Sequence, residues 1–238
     1  MTRLSVNINK VALLRNARGG SIPDVIAFAQ TCERLGADGI TVHPRPDERH
    51  IRRADVYALR DALQVELNVE GFPSPSYLQL MEQVRPTQAT LVPDPPHALT
   101  SDRGWDVISQ RDFLQPIVAQ LKAWGIRVSL FIDPDPEQVQ AAAQLGADCI
   151  ELYTGPYAHR FMQSPEEAIA PYIPAAQKAE ALGLRLHAGH DLNLHNLRFL
   201  RLNLPNLAEV SIGHALIADA LYNGIAETLR RYKQALLV

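Results

Sequence analysis

The chain has 238 residues, of which 47% are hydrophobic and 21% are charged, proportions close to those of ordinary globular proteins. A chain of this length can bury one large core without disulfides or metals, which argues against disorder and against a disulfide scaffold. The formal net charge of −3 and the lack of a basic run argue against general nucleic-acid binding, although a few Arg side chains can still form a local anion site.

The cysteines and the N-terminal segment predict the cellular compartment. Cys32 and Cys149 have no CxxC spacing, which favours two reduced thiols over a disulfide. The first residues lack the apolar core of a signal peptide, and no run of about 18 apolar residues predicts a membrane span. We therefore expect a soluble, cytoplasmic protein that binds neither nucleic acid nor membranes.

Short β-type runs alternate with longer helix-type runs along the whole chain. The predicted strands are residues 4–9, 38–43, 65–70, 88–92, 127–133, 148–153, 184–189 and 208–213. Helices are predicted at 24–35, 135–145 and 174–182, each followed by a Gly that can end it, and a last helix at 216–237. Segments 157–164 and 193–201 are predicted to add short extra helices.

This alternation predicts an α/β fold, a (β/α)8 TIM barrel with a few extra short helices, forming one domain over residues 1–238. A doubly wound open sheet is the main alternative. The absence of GxGxxG after the first strand disfavours a dinucleotide-binding form of that sheet. The Pro-rich stretch at 93–96 indicates an excursion after the fourth strand and no domain boundary.

The strands have one apolar and one polar face, which suggests aliphatic side chains packed outward against helices and polar side chains pointing into the barrel. The polar residues predicted to reach the C-terminal mouth are Asn7, Asn9, His43, Glu70, Asp133, Glu151 and Gly213. Active sites of barrel enzymes lie at this mouth. Any one of these residues could simply be a buried, hydrogen-bonded polar group, but their convergence favours a site.

The loops after the strands are rich in Arg, His and Gly. Gly213 and His214 open the last helix, a position that suits a phosphate, although a Gly-His pair alone is also compatible with a simple turn. Arg18 and Arg45 could hold a second anion or could be solvated. No HExxH motif or Cys/His cluster predicts a metal. The available carboxylate and imidazoles suit proton transfer.

Seven segments together resemble the pyridoxine 5'-phosphate synthase family. They are NINKVALLRNARG at 7–19, GADGITVH at 36–43, LNVE at 67–70, LVP at 91–93, VSLFID at 128–133, AGH at 188–190 and IGH at 212–214. The resemblance covers nearly the whole chain in order. It implies a transferase that forms the pyridine ring of vitamin B6 by condensing 3-amino-2-oxopropyl phosphate with 1-deoxy-D-xylulose 5-phosphate. The products are pyridoxine 5'-phosphate, phosphate and water.

The resemblance also implies the role of each site residue. By this resemblance, His43 and Glu70 are expected to be proton acceptors, His190 a proton donor, and Glu151 a residue that tunes or stabilises the transition state. The residues implied to hold the amino-ketone phosphate are Asn7, Arg18, Gly189, Gly213 and His214, and those implied to hold the xylulose phosphate are Arg45, His50 and Thr100. The family pattern implies metal-free acid/base catalysis through imines, no cofactor, and a homo-octamer built as a tetramer of dimers.

The chain departs from the commoner family pattern at a few positions. Asn9 and Lys10 stand where many members have an Asp-His pair assigned to the xylulose phosphate, a contact that Asn9 and Lys10 can still make. Asp191 stands where Gly is usual, and His187 replaces an Asn. The alternative functions are an isomerase or aldolase of another phosphorylated metabolite, or a non-catalytic phosphate-binding sensor, which would need no acid/base cluster.

Overall fold

Parallel strands form a closed barrel in the computed structural model, which describes residues 1–94 and 101–237. Within these residues, the barrel has eight strands in chain order, and the last strand pairs with the first. The strands are β1 Arg3–Asn7, β2 Gly39–Val42, β3 Glu66–Gly71, β4 Gln88–Leu91, β5 Arg127–Ile132, β6 Cys149–Tyr153, β7 Arg185–Gly189 and β8 Leu207–Ile212. The predicted (β/α)8 barrel is confirmed, and each strand lies within a few residues of its predicted position.

Helices surround the barrel. In the described residues they are α1 Asn9–Asn16, α2 Val25–Arg34, α3 Arg53–Ala62, α4 Pro75–Val84, α5 Arg111–Ala123, α6 Pro136–Gln144, α7 Gly155–Phe161, α8 Pro165–Ile169, α9 Tyr172–Ala181, α10 Leu197–Asn203, α11 His214–Asn223 and α12 Ile225–Leu236. Among these residues, no helix is long and apolar enough to cross a membrane.

Two predictions about the ends of the chain were wrong in detail. The single helix predicted at 216–237 is two helices, because Gly224 lies between them with a φ of +74°, a left-handed value that a helix cannot contain. Asn9 was predicted to end the first strand, but β1 stops at Asn7 and Asn9 is the first residue of α1. The side chain of Asn9 is therefore placed by a helix and not by strand alternation.

The division of the strands into an outward apolar face and an inward polar face explains the core. Leu4, Val6, Ile40 and Val42 are fully buried, as expected for side chains between strands and helices. Polar side chains that alternate with them bond to each other across strands, as Ser5 Oγ does with Thr41 Oγ1 at 2.7 Å. The polar face therefore fills the barrel interior and ends at the C-terminal mouth.

The N-terminal half of the barrel interior contains a cluster of charged groups. Glu66 pairs with Arg3 at 2.5 Å and also with Arg127. Arg3 Nε lies 3.7 Å from Glu209 Oε2 on β8. Burial raises the pKa of Glu209 to about 7, whereas burial lowers the pKa of His187, its register partner on β7, to about 3. Near neutral pH, His187 is therefore neutral and Glu209 titrates.

We expect Glu209 to make the protein less stable as the pH rises. Its folded pKa of about 7 lies above the ordinary value of 4.5, so its contribution is fully present below pH 4.5 and is lost as the pH rises through 7. Between about pH 5 and 8, the free energy of unfolding of the wild type should fall by up to about 3 kcal/mol more than that of Glu209→Gln. Urea titrations of both proteins measure this difference, and parallel pH profiles would contradict the assignment.

Candidate active site

A cavity of about 660 Å³ lies at the C-terminal mouth of the barrel. Its lining includes eleven of the fifteen residues predicted for the mouth or the site, contributed by several different strands and the loops that follow them. They are Asn7, Asn9, Lys10, His43, Arg45, His50, Glu70, Glu151, His190, Gly213 and His214. Barrel closure brings them together because the carboxyl ends of parallel strands meet at one rim.

Glu70 and His43 form a close pair of ionisable side chains in the cavity. Glu70 is near the end of β3 and His43 directly follows β2, so that Nδ1 of His43 lies 3.7 Å from Oε2 of Glu70. Both side chains are buried. Burial raises the pKa of Glu70 to about 7 and lowers the pKa of His43 to about 3. Near neutral pH, His43 is therefore neutral, while Glu70 exists in both protonation states and can take up or release a proton.

His190 lies on the opposite side of the cavity, in the turn that follows β7. Its ring contacts Phe131 and Tyr153, with centroids 5.1 and 5.4 Å away. Burial is the largest influence and lowers the pKa of His190, while the nearby Glu70 carboxylate acts in the opposite direction. Two ionisable side chains from different strands thus influence each other across one cavity, an arrangement suited to proton transfer at both sides of a bound molecule.

Glu151 occupies the floor of the cavity. Burial, followed by the charge of Glu70, raises its pKa well above the usual value for Glu. Gly189 on the neighbouring β7 makes room for this carboxyl, since a Cβ at Gly189 would lie 2.0 Å from Glu151 Oε1. This shift favours the protonated form of the Glu151 carboxyl, which can donate a hydrogen bond. Gly189 itself does not line the cavity, so its implied phosphate contact stays a prediction.

Cationic and imidazole groups from α1 and from the loop between β2 and α3 form one side of the cavity. His50 accepts a hydrogen bond at Nδ1 from the backbone N–H of Ile51 at 2.9 Å. Burial lowers its pKa to about 3, so the neutral ring carries its proton on Nε2 and can donate it to a ligand. Lys10 is close enough to contribute to that lowering. These groups suit an anion or a hydroxyl.

Arg45 belongs to the same side, but it already has a partner. Its Nη2 lies 2.7 Å from Asp94 Oδ2, and Ser101 Oγ donates to the same oxygen at 2.5 Å. Both charged side chains are buried. The remaining N–H groups of the guanidinium stay available for a ligand. Sequence patterns could not find Asp94 or Ser101, because both lie in the loop excursion and neither belongs to a strand.

Asn7, Asn9 and Gly213 connect the start of α11 to His43. Asn9 donates its backbone N–H to Asn7 Oδ1 at 3.1 Å, and Asn9 Oδ1 accepts the backbone N–H of His43 at 2.9 Å. A Cβ at Gly213 would lie 3.1 Å from Asn7 Cβ, a tight contact that Gly avoids. Because an Asp oxygen could accept the same bond, the Asn9 substitution preserves the placement of His43.

Of the other predicted residues, Arg18, Asp133 and Gly189 do not line the cavity, and one lies outside the described residues. Arg18 is exposed and does not line the cavity, and Thr100 lies outside the described residues. Asp133 directly follows β5 and accepts the backbone N–H of Gly104 at 3.3 Å, but it does not line the cavity. The cavity also includes His159, Asp191, Asn193 and Ser211, none of which was predicted as a site residue.

The arrangement provides proton donors and acceptors on both sides of a cavity that also holds groups suited to anions. Among residues 1–94 and 101–237, no group of three His, Cys, Asp or Glu side chains is placed to hold a metal ion. The residues themselves supply general acid and base groups, and the amide, imidazole and cationic groups supply binding.

Comparison with known proteins identifies similar sequences over the full length. The family model described as pyridoxal phosphate biosynthesis protein PdxJ matches residues 4–237. The pyridoxine 5'-phosphate synthase of Porphyromonas gingivalis is 58% identical over 236 residues, covering 99% of this chain and 99% of the relative. The enzyme of that name from Bacteroides thetaiotaomicron is 56% identical over 236 residues, covering 99% of this chain and 100% of the relative.

Solved structures with the same fold are more distant in sequence. A 4-hydroxy-2-oxoglutarate aldolase has a TM-score of 0.65 at 18% identity, with 98% of this chain and 94% of that chain covered. Phosphoribosyl anthranilate isomerase from Thermus thermophilus has a TM-score of 0.60 at 17% identity, with 99% and 98% covered. These similarities concern the barrel fold alone.

Proposed function

Because the chain belongs to the family of the pyridoxal phosphate biosynthesis protein PdxJ, we propose that it is a pyridoxine 5'-phosphate synthase. In this proposal it condenses 3-amino-2-oxopropyl phosphate with 1-deoxy-D-xylulose 5-phosphate to give pyridoxine 5'-phosphate, phosphate and water. The observation that carries the proposal is the convergence of Glu70, His43 and His190 on one cavity that also holds groups suited to anions.

The acid/base groups suit the chemistry of this condensation. The amine must attack a ketone to form an imine, so a base must remove its proton, and each dehydration needs an acid at the leaving hydroxyl. Glu70 and the neutral His43 are assigned as proton acceptors, and His190 is assigned as the donor. Glu151, whose pKa is raised by burial, is assigned to stabilise charge that develops in the transition state.

The two ends of the cavity suit the two phosphorylated substrates. Lys10, Arg45 and His50 are assigned, with Asn9 and Thr100, to the xylulose phosphate. Asn7, Gly213 and His214 are assigned, with Arg18 and Gly189, to the amino-ketone phosphate. Holding both molecules in one cavity makes the condensation effectively unimolecular, which can lower the barrier by roughly 7–11 kcal/mol.

The finer assignments follow from the family. We place the enzyme among the transferases, in the cytoplasm, acting without a metal or other cofactor. We propose that residues 1–238 form one barrel domain and that eight copies assemble as a tetramer of dimers, without nucleic-acid or membrane partners. Size-exclusion chromatography with light scattering tests the assembly directly.

Incubation of the purified chain with both phosphates tests the proposed function. We expect pyridoxine 5'-phosphate, identified by its fluorescence and mass, together with equimolar inorganic phosphate. Omission of either substrate should abolish the product. Binding of both phosphates without any turnover would reject the synthase and favour a sensor, and conversion of one phosphate alone would favour an isomerase or aldolase.

Arg45→Met should weaken the binding of only one substrate. Loss of a charge-assisted hydrogen bond predicts an increase of about 10- to 100-fold in KM for the xylulose phosphate, with the KM of the amino-ketone nearly unchanged. Steady-state kinetics with each substrate varied in turn measure this selectivity. Thermal unfolding must be followed in parallel, because the change leaves Asp94 without its cation.

Arg53→Met is the matched control for this variant. Arg53 begins α3, after the same loop, but its Nη1 bonds to Ser76 O at 2.9 Å and Ser76 Oγ at 3.0 Å, and it does not line the large cavity. Both KM values should stay at wild-type levels. Equal increases for the two substrates in Arg45→Met would remove its assignment to the xylulose phosphate.

A further inference from the structure

The turn that carries His190 has an unusual backbone. His190 has a φ of +84° and the following Asp191 a φ of +57°. Side chains with a Cβ seldom adopt these left-handed values, and two in succession persist only where the surrounding structure holds them. The direction of the His190 imidazole depends on this turn, because any relaxation to ordinary φ values would rotate the side chain relative to β7.

Thr154, the residue that follows β6, holds the turn from the neighbouring strand. Its hydroxyl lies 2.6 Å from the carbonyl oxygen of Gly189 and 2.5 Å from that of His190, so its one proton is shared between them. Its backbone N–H also donates to Gly189 O at 2.9 Å. Thr154 is fully buried, so water does not compete for these bonds.

The ring of His190 is restrained separately from its backbone. It lies against Phe131 with an interplanar angle of 51° and against Tyr153 with an angle of 82°. These two rings limit where the imidazole can lie once the turn is set. The backbone conformation of the turn determines whether the ring can reach this position. The hydroxyl of Thr154 restrains that conformation through the carbonyls of Gly189 and His190.

We propose that Thr154 is a positioning residue for His190, whose hydroxyl holds the left-handed turn that aims the imidazole into the cavity. The inference rests on the proposed function, in which His190 is the proton donor. Thr154 does not line the cavity, so it acts on the reaction only through His190. It should therefore affect proton transfer and leave the binding of both phosphates unchanged.

Thr154→Val removes the hydroxyl while keeping the shape of the side chain. We expect kcat to fall about tenfold, the effect of roughly one to two hydrogen bonds, with both KM values within about twofold of wild type. Thr154→Ser restores the hydroxyl and should recover most of kcat. In a His190→Asn background, Thr154→Val should cause no further loss, because both changes act through the same group.

Thr228→Val is the matched control. Thr228 is also fully buried and donates its hydroxyl to a backbone carbonyl, that of Gly224 at 2.9 Å, but it lies in α12 outside the cavity. Its kcat should equal that of the wild type even if the protein becomes less stable. A wild-type kcat in Thr154→Val would overturn the proposal. So would a Thr154→Val change that lowers kcat by the same factor in the wild type and in the His190→Asn background.

Nuclear magnetic resonance of the His190 ring tests the turn without using activity. The signal is assigned by its disappearance in His190→Asn. We expect one sharp imidazole signal in the wild type and in Thr154→Ser, and a shifted, broadened or doubled signal in Thr154→Val. An unchanged signal in Thr154→Val would overturn the positioning role, whereas a wild type that makes no product would reject only the proposed function.

Discussion

Replacement of Glu70 by Gln is expected to lower kcat by about 100- to 10,000-fold, the usual contribution of a general base. Gln keeps the size of the side chain but cannot accept a proton. Because burial holds the pKa of Glu70 at about 7, the wild-type kcat/KM should rise as the pH increases through 7, where the carboxyl loses its proton. This rise should be absent in Glu70→Gln, as measured by product formation across pH.

Glu209→Gln is the matched control, since Glu209 is also a buried Glu of the barrel interior with a pKa raised to about 7. It lies in the N-terminal half and does not line the cavity, so kcat should remain within a few fold of wild type. If Glu70→Gln kept more than about a tenth of the wild-type kcat, Glu70 would not be the general base.

Replacement of Asp55 by Asn is expected to lower the free energy of unfolding by about 3–5 kcal/mol, because it leaves a buried Arg without its partner. Arg15 of α1 bonds to Asp55 of α3 through both oxygens, at 2.6 and 2.9 Å. Arg15 also donates to the backbone carbonyl of His50 at 3.0 Å, so the pair holds the loop that carries His50. Urea unfolding measures the loss.

Two controls test whether the lost stability comes from leaving a buried charge unpaired or simply from removing a carboxylate. Arg15→Met combined with Asp55→Leu should recover part of the lost stability, because neither charge is then left unpaired. Glu227→Gln removes a carboxylate that pairs with Arg230 and Arg231 on the exposed face of α12, and its effect should be much smaller. A small effect of Asp55→Asn would mean that water reaches Arg15, contrary to its burial.

Strand alternation was sufficient to predict most of the ionisable cluster that lines the cavity. Glu70 and Glu151 lie on the polar faces of their strands, and His43 and Gly213 directly follow theirs. The prediction succeeded because side chains in a strand alternate between two faces with a period of two, a property of the local chain. Closure of the barrel then brings the carboxyl ends of all strands to one rim.

Errors arose where a local pattern has no unique outcome. The apolar spacing of residues 216–237 continues through Gly224, whose left-handed φ separates two helices. Arg15, within the segment at 7–19, is buried in α1 and paired with Asp55, forty residues away. Periodicity describes near neighbours, so it could not identify a partner at that separation.

The sequence by itself determined the alternating order of strands and helices, the polar interior of the barrel and the family resemblance that names the reaction. Only the tertiary structure decided that Arg45 is paired with Asp94, that Asn9 holds the backbone of His43 and that Thr154 holds the turn of His190. The physical reason is that alternation follows from backbone geometry within a few residues. Hydrogen bonds and ion pairs depend on distances between segments, which exist only after the barrel has closed.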